Sequence, residues 1–141
     1  MKTRITIAFI AMVIAVQCGT AGEPAKRFAR TEQKIEFAKK NLMNGLKSGN
    51  AGVMESAMRL TAQLKMRYPA TDVSDLVNVI GEVAAKHPSG TTRYKAYIAS
   101  SVCSEPGWYA KEPNVDSATE EDFFRAASAR LNQKLFSNNS F

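Results

Sequence analysis

Histidine and cysteine are nearly missing from this 141-residue chain, which has one histidine, His87, and two cysteines, Cys18 and Cys103. A zinc site takes three or four ligands at recognisable spacing, and this set does not supply it. A Ser-His-Asp arrangement has only His87 to draw on, and no nucleophile-elbow pattern surrounds any serine. Neither GxxxxGK[ST] nor GxGxxG occurs, so no glycine loop is shaped to cradle phosphate. The carboxylate pairs, Asp72 with Asp75 and Glu120 with Glu121, fall at helix starts, where the helix dipole already favours them. No stretch alternates with period two for long enough to read as a strand. The sequence thus points to a protein that is not an enzyme, with no catalytic residues, no metal and no cofactor.

Long apolar runs are equally scarce, with one exception. Lys2 and Arg4 precede an uncharged run from Ile5 to Val16, and Gly19-Thr20-Ala21 follows with small residues. This is the layout of a secretory signal peptide, residues 1–21, cut after Ala21. The run is short of the ~20 apolar residues that a membrane-spanning helix needs. The expected location is outside the cytoplasm, periplasmic or secreted. Cys18 offers a rival, a lipidated N-terminus, but Gln17 before it fits a lipobox poorly, and membrane attachment is expected only through such a lipid. Cleavage leaves 120 residues, one cysteine and a charge balance of 17 to 13, or +4. With no internal disulfide available, stability must come from packing. Cys103, among helical residues with no basic cluster beside it, reads as a small buried hydrophobe.

The remainder reads as helices. Residues 22–30 form a polar, flexible lead-in, followed by a single helical domain over 31–136 and a fraying tail, 137–141. Thr31 is the expected N-cap of a first helix whose Ile35, Ala38, Leu42 and Leu46 make one apolar stripe. After Ser48-Gly49-Asn50, Val53, Ala57, Leu60, Leu64 and Tyr68 form the clearest stripe in the chain, with Met54, Met58 and Thr61 in a second beside it. So wide an apolar surface implies a helix packed on more than one side, with Leu60 central to the fold. Pro69 ends this helix. A third, starting at Thr71 or Asp72, buries Val73, Leu76, Val77, Ile80, Val83 and Ala84. A fourth, from Thr91 to Cys103, groups Tyr94, Tyr97, Ile98 and Ser101. A Pro- and Gly-containing loop, 104–117, holds Trp108 and Tyr109. Thr119 with Asp122 then opens a fifth helix carrying Phe124, Ala127, Leu131 and Leu135.

Shifting the chain by 39 residues superposes like features: Phe37-Ala38 on Leu76-Val77, the turn at 48–50 on that at 87–89, and Ala57 on Ala96. With Val53 and Arg93, this helix–turn–helix period weakly resembles HEAT-like repeats over residues 31–104. Asn41–Pro69 and Arg93–Tyr97 also resemble small exported bacterial helical proteins to which no activity is assigned. The second resemblance implies export and a helical fold, and the helix pattern read above gives an all-α fold of about five helices in antiparallel hairpins, either a short HEAT-like stack or an ordinary bundle.

Such a fold, without chemistry, suits a protein- or peptide-binding adaptor module. The expected face is Arg93, Tyr97, Trp108 and Tyr109, since Trp, Tyr and Arg dominate binding hot spots; the alternative for Trp108 and Tyr109 is to cap one end of the helices. Interleaved basic and aromatic residues also suit nucleic acid, but export argues against that partner. The alternative function is an envelope-associated structural or stress protein held weakly on an acidic surface by the +4 charge.

Overall fold

The structure, a computed structural model, describes residues 22–112, 115 and 119–137, with side chains from Lys26 onward. Among them are six helices and no strand: α1 (Gly22–Leu46), α2 (Ala51–Arg67), α3 (Ser74–Lys86), α4 (Gly90–Ser104), α5 (Pro106–Tyr109) and α6 (Glu120–Ser137). The protein is all-α, and its packing is compatible with a stack of helical hairpins. The chain divides into two units, residues 1–36 and 37–141. Described residues of the first belong to the N-terminal part of α1; the second holds the rest of α1 and every other helix. The expected signal peptide and most of the expected tail lie outside the described residues.

Helix α1 begins at Gly22, earlier than the lead-in and Thr31 cap anticipated. Pro24 costs nothing in a first turn, where its missing N–H has no intrahelical acceptor. Thr31 lies inside the helix and donates its hydroxyl to the Arg27 carbonyl at 2.9 Å, the back-bonding open to a helical threonine. The turn to α2 places Gly49 at φ +73°, a conformation that glycine adopts without steric cost. Asn50 then caps α2, accepting from the Val53 N–H at 3.1 Å. Thirty-nine residues on, Ser89 caps α4 in the same way, accepting from the Thr92 N–H at 3.3 Å. The expected cap at Thr119 is present, accepting from the Asp122 N–H at 3.3 Å.

Helix α4 is the centre of the second unit, in contact with α2, α3, α5 and α6. Its small residues allow this: Ala96 and Ala99 are fully buried, with Ile98 and Val102 filling the space beside them. Leu76 and Ile80 of α3, Met58 and Ala62 of α2, and Phe123 and Ala127 of α6 complete the core. Phe123 and Phe124 meet edge to face, with ring centroids 5.0 Å apart. Cys103 is buried, as expected, and burial pushes its thiol pKa up to about 12.

Two expected helix faces differ from those observed. On α2 the stripe in the core is Met54, Met58 and Thr61 with Ala57 and Ala62, whereas Val53 and Leu60 are 47% and 44% exposed. On α4, Tyr94 and Tyr97 face outward, and the buried face runs through Thr92, Ala96, Ala99 and Cys103. Periodicity identifies apolar stripes; it does not say which of two neighbouring stripes the next helix covers.

Candidate binding groove between α1 and α2

The exposed stripe of α2 has a definite setting. Helices α1 and α2 approach closely at Gly45, where an added Cβ would stand 3.0 Å from the Ala57 Cβ. Between them lies a groove of about 650 Å³. Its apolar walls are Ala38 and Leu42 of α1 and Val53, Ala57, Leu60 and Leu64 of α2. Leu42 and Ala57 are buried in its floor, and Val53 and Leu60 form its edge. Arg67 and Tyr68 line the end where α2 stops.

Two polar side chains along α2 are tied into the fold. Ser56 donates its hydroxyl to Glu120 Oε2 at 2.5 Å, and Gln63 donates Nε2–H to the Val115 carbonyl at 3.1 Å. Gln63 Oε1 also accepts from Arg59 at 3.2 Å. Their hydrogen-bonding capacity is therefore directed inward, which leaves a mostly apolar lining facing the groove.

Behind α2, a polar cluster joins three helices. Lys95 of α4 donates to Glu55 Oε2 of α2 at 2.5 Å and lies 3.6 Å from Glu120 Oε1 of α6. The Thr92 hydroxyl donates to Glu55 Oε1 at 2.8 Å, and the Lys95 ammonium sits 5.3 Å from the centre of the Phe124 ring. Burial disfavours charge on Glu55, but the hydrogen bonds from Lys95 and Thr92 and the lysine's charge outweigh it and hold the carboxyl pKa below its ordinary value. Burial likewise opposes charge on Lys95, and Glu55 and Glu120 outweigh it, raising the lysine pKa. This cluster aligns α2, α4 and α6 rather than opening onto the groove.

The four residues expected to form a binding face are arranged differently from one another. Tyr109 is a core side chain, 1% exposed. Trp108 is partly buried, with the Arg130 guanidinium stacked 3.9 Å from its ring centre and donating to its backbone carbonyl. Arg93 is exposed and donates to the carbonyls of His87 and Pro88 at 2.7 and 3.2 Å, closing the α3–α4 turn. Tyr97 alone presents an open aromatic surface, half exposed. Packing of the Pro106–Tyr109 turn against α2 and α4 turns the tyrosine inward, in keeping with the capping alternative. His87 caps the end of α3, and its Nδ1 accepts from the Ser89 N–H at 3.2 Å. Among the described residues no three His, Cys, Asp or Glu side chains are grouped as metal ligands would be, and no helix is long and apolar enough to cross a membrane.

The groove was visible in the sequence only as an excess: α2 has more apolar surface than one neighbour needs. Compared with family models, curated proteins and solved structures, the chain matches none.

Proposed function

We propose that this chain is an exported, non-catalytic helical adaptor that binds another protein or a peptide, and that the α1–α2 groove is its binding site. The observation that carries the reading is the exposure of Val53 and Leu60 in one apolar groove of about 650 Å³. Concave, largely apolar sites with a few polar groups at their margins are the usual form of a binding site. Val53 and Leu60, held about half exposed on a packed helix, also need no rearrangement before contact. Export rests on the leader-like residues 1–21 and on a remainder that holds a single cysteine, Cys103.

The test is in-cell crosslinking of the tagged chain, expressed with its own leader and read by mass spectrometry. The expected result is a partner enriched with the parent chain, retained with Tyr97→Ala, lost with Leu60→Glu, and an N-terminus at Gly22. Enrichment that survives Leu60→Glu and disappears with Tyr97→Ala would move the site to α4 and overturn the groove assignment.

A further inference from the structure

The 39-residue correspondence gives the groove a counterpart within the same molecule. Val53, Ser56, Ala57, Leu60 and Leu64 of α2 correspond to Thr92, Lys95, Ala96, Ala99 and Cys103 of α4. That face of α4 is turned toward α2, since both Thr92 and Lys95 bond Glu55. Thr92, Ala96, Ala99 and Cys103 are all buried. The equivalent face of α2 is the wall of the groove. Among the described residues of 37–141, no helix stands to α2 as α2 stands to α4.

The spacing on α2 agrees. Val53, Ala57, Leu60 and Leu64 follow one another at intervals of 4, 3 and 4, the seam on which a second helix packs. From Val53 to Tyr68 the seam rises by roughly 22 Å, which a helix of about 15 residues covers.

Charge then selects among helices. Residues 37–68, which supply both walls, carry six cations (Lys39, Lys40, Lys47, Arg59, Lys65 and Arg67) against one carboxylate, Glu55, a balance of +5. Glu55 is paired with Lys95. Residues 69–141 carry seven cations against nine carboxylates, a balance of −2. Glu120 of α6 is bonded to Ser56 and lies 3.6 Å from Lys95, and Asp72 acts electrostatically on Lys39 and Lys65. Of the six cations Arg67 lines the groove itself, and a symmetric pairing of two copies through this face would bring two +5 segments together. We propose that the occupant is an amphipathic α-helix of a partner protein, about four turns long, with an apolar stripe flanked by Asp and Glu. This rests on the groove being the binding site, and it adds the partner's secondary structure and charge.

The test uses three fluorescein-labelled synthetic peptides of about 18 residues that share one leucine stripe and differ in having Glu, Gln or Lys flanks. Binding to the purified protein is read by fluorescence anisotropy at low and high salt, with circular dichroism of the bound peptide. The expected order of affinity is Glu, then Gln, then Lys. At low salt the Glu peptide should bind at least about tenfold more tightly than the Lys peptide, with a gap that narrows as salt screens it. The bound peptide should gain helicity, Leu60→Glu should abolish binding with the melting curve kept, and Arg67→Glu should shrink the Glu preference. Equal binding of all three, or preference for Lys, would overturn the acidic partner while leaving the groove reading in place. Binding of none would overturn both. A dimer in light scattering that Leu60→Glu dissociates would replace the partner helix by a second copy.

Discussion

The α1–α2 and α3–α4 hairpins share a plan and differ in completion. Each second helix begins at a polar cap three residues before the N–H it satisfies, and each has an alanine at the matching position, Ala57 or Ala96. In the second hairpin, the face of α4 through Ala99 is sealed by α2. In the first, the same face of α2 carries Leu60 in place of the alanine, and it lines an open groove. The larger side chain lies where there is space and the smaller where there is none. An apolar face built from Val and Leu with no described helix over it is a local inconsistency for an isolated fold and a requirement for a binding one.

That contrast can be broken by substitution at matched positions. The largest effect is expected at Ile80 of α3, fully buried, where Ile80→Ala should cost about 2–5 kcal/mol in a denaturant titration. Its counterpart Asn41 is exposed at the groove wall, and Asn41→Ala should leave the midpoint nearly unchanged. Ala99→Leu, which gives α4 the residue that α2 carries, should overpack the α2–α4 contact and cost about 1–3 kcal/mol. Gly45→Leu should cost about as much by pushing α1 off Ala57, and it should widen the groove at its closed end.

Lys95→Met should cost about 1–3 kcal/mol at neutral pH by leaving Glu55 without its ion partner. It should also change the pH profile. Because the folded-state pKa of Glu55 is depressed, its contribution is complete above the ordinary glutamate range and is lost as pH falls through the lowered value. The raised pKa of Lys95 acts in the opposite limb: its contribution is complete below the ordinary lysine pKa and is lost as pH rises through the raised value. Both slopes should flatten in the methionine variant, as read by thermal melts across pH. The smallest effect is expected for Tyr97→Ala on the open side of α4, within about 0.5 kcal/mol.

The helices themselves were largely legible in the sequence. Gly49 and Asn50, Pro69, Ser89 and Thr119 mark boundaries that the structure shares within a few residues, because caps and turns are written in local sequence. The α1 start was not, since a lysine- and arginine-rich stretch with one early proline satisfies a lead-in and a first turn equally well. The groove was legible only in part: the stripe from Val53 to Leu64 was evident, but whether a neighbour covers it depends on how α1 and α4 divide the surface of α2. The Glu55–Lys95–Glu120 cluster was not legible, because its members lie on three helices far apart in sequence. The inward turn of Tyr109 likewise follows from α5 packing on α2 and α4, which no local pattern encodes.

The central claim is that α2 has one face for the fold and one for a partner. Urea titrations of Leu60→Ala and Met58→Ala side by side test it most directly. Met58 is fully buried and should cost about 2–5 kcal/mol, whereas Leu60, 44% exposed, should cost less than about 1 kcal/mol. Equal losses would mean that Leu60 is buried in the folded protein and that the groove is closed by the chain itself.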